Sequence, residues 1–153
     1  MGASTGGGRP LLVFSLTLLL TGSLDQLAKS LAKSFLSPGA PLRLWGFLHL
    51  NLTENVGSAF GLFQSGWLPI TATIVVCVVV LGYACGGGLR HAPTRSIPLG
   101  LIVGGALGNL LDRLRLGAVV DFIDLQVWPV FNLADIAITV GILILALEAF
   151  RRR

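Results

Sequence analysis

Four long runs of apolar residues, separated by polar connections, dominate the pattern of this chain. Each run approaches the roughly 20 residues that an α-helix needs to cross the hydrocarbon core of a bilayer. The runs predict membrane-spanning helices at approximately 10–30, 67–85, 96–112 and 133–150. Because four helices and their connections use nearly the whole chain, we expect a single integral membrane domain over residues 1–153.

The first run has a second interpretation. It follows Arg9, and its apolar stretch is short enough to suit a cleaved signal peptide. No small-residue cleavage motif follows it, and a continued helix places Asp25 and Lys29 four residues apart on one face. An acid and a base at that spacing can pair and reduce the cost of burying each other. The sequence therefore favours a retained helix.

The segment between the first two runs, residues 37–66, has a different pattern. Pro38, Gly39 and Pro41 interrupt it, and leucines then alternate with other residues at the period of a β-strand. We expect a small extramembrane sheet that lies at the lipid headgroups. A second connection, residues 113–132, is predicted on the same side of the membrane. The predicted fold class is thus an all-α membrane protein with a small β element.

The composition excludes an ordinary soluble domain and gives a membrane orientation. Hydrophobic residues make up 54% of the chain and charged residues 12%, against roughly a quarter charged in soluble domains. The net charge of +4 is scattered at helix ends, so nucleic-acid binding is not expected. The side with both termini carries six basic residues and one acidic residue. The other side carries five basic residues and six acidic residues. Cytoplasmic termini and outward-facing connections are therefore predicted.

Two aspartates indicate chemistry at the outer membrane boundary. Asp121 lies in VVDFID, and Asp135 lies in FNLAD at the start of the fourth apolar run. A carboxylate within membrane sequence is costly and is by default a functional candidate. A short connection joins the two, so their carboxyl groups can meet and share one proton. Such a pair can activate water against a peptide bond, which predicts hydrolysis without a metal or a covalent intermediate.

Polar residues on two neighbouring helices point to the same place. Asn109, Asp112 and Arg113 share one face of the third predicted helix, and Asn132 lies three residues before Asp135. The two polar stripes can converge at one depth of the membrane. Arg113 either binds a substrate carbonyl or pairs with Asp112 as a helix-end ion pair.

Other functions explain these residues less well. A metal site would have to use aspartates alone, so neither a metal nor another cofactor is expected. A small transporter or proton-pathway protein would normally carry its acids near the membrane midplane, whereas Asp135 lies at a helix end. A noncatalytic anchor protein would leave the clustering of polar residues at one end unexplained.

Five ordered blocks resemble those of the lipoprotein signal peptidase family, also called signal peptidase II, of the bacterial inner membrane. The blocks begin at Asp25 (DQLAK), Asn55 (NVGSAFGLF), Gly104 (GGALGNLLDRL), Val119 (VVDFID) and Phe131 (FNLADIAI). The resemblance implies an aspartic endopeptidase that removes the signal peptide of a diacylglyceryl-modified prolipoprotein just before the lipidated cysteine. It also implies four transmembrane helices, an extracytoplasmic β-cradle and a loop over the site.

The matching positions imply roles for individual residues. Asp121 and Asp135 correspond to the catalytic pair of the family. Residues that line the family's site match Asn55, Asn109, Arg113 and Asn132, and supporting polar positions match Asp25 and Lys29, to which we add Asp112. The expected partners are the lipid-modified prolipoprotein and membrane lipid, and the chain is expected to act as a monomer with its site at the outer leaflet.

Overall fold

The computed structural model describes residues 8–57 and 67–151. Residues 58–66, which include the later part of the NVGSAFGLF block and of the predicted segment 37–66, lie outside the described residues. The helices are α1 (Arg9–Phe35), α2 (Trp67–Cys85), the single turn α3 (Gly88–His91), α4 (Ser96–Leu116) and α5 (Leu133–Arg151), with a 3₁₀ turn at Pro93–Arg95. The strands are β1 (Leu42–Trp45), β2 (Leu48–Asn55) and β3 (Val119–Asp124).

Four of the described helices, α1, α2, α4 and α5, are long and apolar enough to cross a membrane. They accompany one small three-stranded sheet, which confirms the predicted fold class of a helical membrane protein with a small β element. The predicted loop over the site cannot be assigned to a described segment, because residues 58–66 are outside the description.

Two helices extend beyond their predicted ends. Helix α1 continues past residue 30 to Phe35, since no helix-breaking residue occurs before Pro38. Helix α4 continues past residue 112 to Leu116 and ends at Gly117, whose left-handed φ of 77° suits a residue without a side chain. Arg113, expected at the start of the connection 113–132, therefore lies in the last turns of α4.

The sheet links the two polar connections. Strand β2 lies between β1 and β3 and pairs antiparallel with both. Within the β2–β3 pair, Thr53 lies opposite Asp121 and Asn55 lies opposite Val119. The chain after β3 then returns to the sheet, where Phe131 exchanges backbone hydrogen bonds with Ile123 at 2.8 and 3.0 Å. This return places the beginning of α5 beside β3.

Helix α4 forms the centre of the bundle. In its most apolar window 56% of the residues are buried, against 11% in α1 and 17% in α5, whose outer faces are left for lipid. Glycines allow this central position: a Cβ at Gly104 would lie 2.6 Å from the carbonyl oxygen of Leu18 in α1. A Cβ at Gly105 would lie 2.6 Å from that of Ala134 in α5. The backbones on either side of α4 are thus too close for any side chain.

Replacing Gly104 with alanine should destabilise the protein. The added Cβ would press on the backbone of α1, and overpacking of this kind costs about 1–3 kcal/mol. Gly82→Ala in α2 is the matched control, because a Cβ there meets nothing within 4 Å and alanine favours the helix by about 0.5–1 kcal/mol. Thermal unfolding in detergent should show a lower Tm for the first variant and an unchanged or higher Tm for the second. A Gly104→Ala protein as stable as the unmodified chain would contradict the close helix contact.

Candidate active site

Asn132 holds the Asp121 and Asp135 side chains on either side of itself. Its side-chain Nδ2 donates a hydrogen bond to Oδ1 of Asp121 at 2.6 Å, and its backbone N–H donates to Oδ2 of Asp135 at 3.2 Å. Asn132 is fully buried and Asp121 is only 2% exposed. The structure therefore brings together the two aspartates that the sequence analysis paired.

The start of helix α5 explains this arrangement locally. Asn132 is the residue before the helix, and its Oδ1 accepts the backbone N–H of Asp135 at 3.0 Å while Asp135 bonds back to the Asn132 N–H. This reciprocal pattern is a capping box, in which a polar N-cap residue and an acid three positions later satisfy each other's free N–H groups. The helix dipole also favours a carboxylate in the first turn. Asp135 is thus fixed in orientation by its own helix.

Two further asparagines complete the hydrogen bonds to the pair. Asn55, from the end of β2, donates from Nδ2 to Oδ2 of Asp121 at 3.0 Å. Its own Oδ1 accepts the N–H of Gly57 at 2.9 Å, which turns the Nδ2 group toward Asp121. Asn109, from α4, donates to Oδ1 of Asp135 at 2.9 Å. Each of the four carboxylate oxygens consequently accepts a hydrogen bond from an asparagine.

Burial sets the protonation of Asp121. Removal of its carboxyl group from water raises its pKa to about 6, and the negative charge of Asp135 acts in the same direction. Hydrogen bonds from Asn55 and Asn132 favour the ionised form and partly offset this rise. A carboxyl group that titrates near neutral pH beside a second carboxyl can hold a proton or release one, as acid–base catalysis requires.

Two cavities adjoin the pair. One of about 610 Å³ lies beside Asp121 and includes Arg113, which donates a long hydrogen bond of 3.5 Å to the carbonyl oxygen of Asn109. The other, of about 360 Å³, lies beside Asp135 and is walled mainly by apolar side chains, among them Trp128 and Phe131. The pair therefore lies between a space with charged walls and a space with hydrophobic walls.

Asp25, Lys29 and Asp112 form a separate buried cluster next to the pair. The ammonium group of Lys29 lies 2.8 Å from Oδ2 of Asp25 and 2.8 Å from Oδ2 of Asp112. The ion pair that Asp112 makes among the described residues is therefore with Lys29, and the alternative of an Asp112–Arg113 pair is wrong. Gln26, which the sequence analysis did not single out, donates to Oδ1 of Asp112 at 2.9 Å.

Asp124 lies on the same strand as Asp121 but in a different environment. The N–H of Gln126 donates to its Oδ1 at 2.7 Å, and Asn51 donates to its Oδ2 at 3.1 Å. These hydrogen bonds lower the pKa of the Asp124 carboxyl below its usual range. Two aspartates of one strand thus have pKa values shifted in opposite directions.

A pair of carboxyl groups, with Asp121 buried and Asp135 half-buried, lies at one end of a bundle of four helices that are long and apolar enough to cross a membrane. The family model for signal peptidase (SPase) II, Peptidase_A8, matches residues 17–151, and the chain belongs to this family. It is accordingly a protease and a multi-pass bacterial membrane protein. The transporter alternative is not favoured.

Individual relatives agree with this assignment. The lipoprotein signal peptidase of Moorella thermoacetica is 42% identical, with 86% of this chain and 89% of the relative aligned. That of Burkholderia thailandensis is 41% identical over 97% of this chain and 93% of the relative. A solved bacterial membrane enzyme has the same fold, with a TM-score of 0.80 at 24% identity and coverage of 93% of this chain and 92% of that one.

Asp121 and Asp124 should affect the pH dependence of stability in opposite ways. Because folding raises the pKa of Asp121 from 3.8 to about 6, its contribution favours the folded state at low pH and is lost as pH rises toward and past 6. For Asp124, whose pKa is lowered, the contribution is present above its usual pKa and is lost as pH falls. Asp121→Asn should therefore raise Tm relative to the unmodified protein more at pH 7.5 than at pH 5, measured in detergent.

Asp124→Asn is the comparison for this measurement. It should lower Tm at pH 7.5 and have progressively less effect as pH falls below 3.8, because the stabilisation by the ionised carboxylate is lost in that direction. Equal Tm differences at every pH for Asp121→Asn would contradict the raised pKa.

Proposed function

We propose that Asp121 and Asp135 are the catalytic pair with which this chain cleaves the signal peptide from diacylglyceryl-modified prolipoproteins, just before the lipidated cysteine. The observation that carries the proposal is that Asn132 bonds to both carboxyl groups. Two carboxyls joined through one buried residue are suited to share a proton. The names of the relatives, lipoprotein signal peptidases, support the substrate class.

The pair would hydrolyse the peptide bond by activating water. The ionised carboxylate removes a proton from a water molecule as its oxygen attacks the scissile carbonyl carbon. The protonated partner donates its proton to the carbonyl oxygen, giving a neutral gem-diol intermediate. When the C–N bond breaks, the carboxyl that gained the water's proton passes it to the departing amine, while the carboxylate partner takes back the proton of a gem-diol hydroxyl. No metal or cofactor is required.

The surrounding polar residues would orient the pair and the substrate. Asn55, Asn109 and Asn132 restrict rotation of the two carboxyl groups through the hydrogen bonds they donate. Arg113 lines the cavity beside Asp121, where its guanidinium can bind a substrate carbonyl oxygen. Fixed donors of this kind favour the charge that develops at the reacting oxygen.

The bilayer would bring the substrate to the site. A diacylglyceryl group gains about 0.8 kcal/mol for each CH₂ buried in the membrane, which holds the modified cysteine at headgroup depth. Asp121 lies in the sheet outside the helices, and Asp135 lies in the first turn of α5, so both suit this depth. With the termini in the cytoplasm, this is the outer leaflet. Because both aspartates come from one chain, a monomer suffices for activity.

Asp121→Asn and Asp135→Asn should each abolish cleavage of a lipidated prolipoprotein peptide, with kcat reduced by about 10³-fold or more, because neither acid–base partner can be replaced by an amide. Asp124→Asn is the matched control on the same strand and should retain activity. The assay compares lipidated with unlipidated peptide in detergent and in bilayers, and thermal unfolding verifies that each variant is folded. Near-normal turnover by either of the first two variants would show that the pair is not catalytic.

The pH profile should carry the signature of Asp121. The form with one shared proton is lost when the raised pKa of Asp121 is exceeded, so kcat/KM should fall as pH rises through about 6. In the enzyme–substrate complex the bound peptide displaces water, and the corresponding fall in kcat should occur at higher pH. Initial rates between pH 4 and 9 with the lipidated peptide measure the pH dependence of both kcat/KM and kcat. A kcat/KM that is constant from pH 5 to 8 would contradict this assignment.

A further inference from the structure

Lys29 is a buried cation whose hydrogen-bonding capacity is fully used. Its side chain is 3% exposed, and its ammonium group lies 2.8 Å from each of three oxygens. Two belong to the carboxylates of Asp25 and Asp112, and the third is Oδ1 of Asn109. An ammonium group has three N–H donors, so each donor has one acceptor.

The two carboxylates that Lys29 contacts also bind backbone next to the candidate catalytic residues. Oδ1 of Asp25 accepts the N–H of Ala134 at 2.9 Å, and Ala134 immediately precedes Asp135. Oδ2 of Asp112 accepts the N–H of Val120 at 3.2 Å, and Val120 immediately precedes Asp121. One lysine therefore connects, through two carboxylates, the backbone beside each member of the pair.

The third contact of Lys29 orients a side chain that touches the pair directly. Because an ammonium group only donates, it must face the oxygen of the Asn109 amide. The opposite end of that amide, Nδ2, then points to Oδ1 of Asp135 at 2.9 Å. The same Asn109 oxygen accepts Nδ2 of Asn132 at 3.1 Å, and Asn132 in turn bonds to Asp121. Lys29 thus fixes the Asn109 amide, which donates to the Asp135 carboxyl and accepts a hydrogen bond from the Asn132 amide that donates to Asp121.

We propose that Lys29 is a positioning residue that sets the separation and orientation of the Asp121 and Asp135 carboxyl groups, by joining Asp25, Asp112 and Asn109 into one rigid support. The inference rests on the proposed function of the pair. Energetics favour a role beyond stability, since a buried cluster of one cation and two anions gains little over apolar side chains of similar volume. Catalysis, in contrast, is sensitive to displacements of about 1 Å, which can cost about 10²-fold in rate.

The first test removes the charge of Lys29 and keeps most of its volume. Lys29→Met should reduce kcat per folded molecule by about 10- to 100-fold, with a smaller change in KM, because the substrate-lining residues stay while the pair is displaced. Lys33→Met, an exposed lysine one turn further along α1, is the matched control and should leave kcat unchanged. Titration of active, folded protein in detergent corrects for any loss of stability. A Lys29→Met enzyme with the kcat of the unmodified protein would overturn the proposal.

A second pair of variants decides the question even when Lys29→Met fails to fold. Asp112→Asn and Asp112→Ala both remove the charge, but only asparagine keeps an oxygen that can accept the Val120 N–H. If the cluster positions the pair, the kcat of Asp112→Asn should be at least about 10-fold higher than that of Asp112→Ala. Equal kcat values per folded molecule would mean that the cluster acts on stability alone. Failure of the unmodified protein to cleave the lipidated peptide would instead reject the proposed function.

Discussion

Burial of charge inside a membrane bundle is the constraint on which the rest of this structure depends. Asp25, Lys29 and Asp112 lie within the helices, and Asp121 is buried where the sheet meets them. An unpaired carboxylate in such surroundings costs several kcal/mol, so each group needs a specific partner. The chain meets this need with one ammonium group and a set of asparagine amides. Their donors and acceptors match one another almost completely, which fixes the geometry of the site.

The backbone of helix α4 makes this matching possible. Glycines along α4 let α1 and α5 approach to backbone contact, so that polar side chains from three helices reach one level. Among them, Asn109 is in contact with Lys29 from α1 and with Asp135 from α5. The sheet adds Asp121 from the side, because strand β3 continues closely from the end of α4. The placement of the polar residues therefore depends on the close packing that the glycines allow.

Much of the candidate site could be predicted from local sequence. The spacing of Asn132 and Asp135 has the pattern of a capping box; Asp135 was selected for its position at the start of an apolar run, and Asn132 for its place three residues earlier. The partner of Asp112 was predicted less well. Arg113 is adjacent to Asp112 in the sequence, whereas the packing of the helices brings Lys29 of α1 to it. The spacing of residues along one helix does not show which neighbouring helix packs against those residues. For the same reason Gln26 was not singled out.

The sequence by itself determined the membrane class, the number of spanning helices, the position of the first two strands and the two aspartates that form the candidate pair, but not the third strand, β3. These follow from apolar run length, strand alternation and the cost of a carboxylate in lipid, all of which are local properties. Only the tertiary structure decided that Asp25 and Asp112 hold the backbone on either side of the pair and that Lys29 joins them. Hydrogen bonds have strict distances and directions, and only the packed arrangement of α1, α4 and α5 specifies which groups meet them.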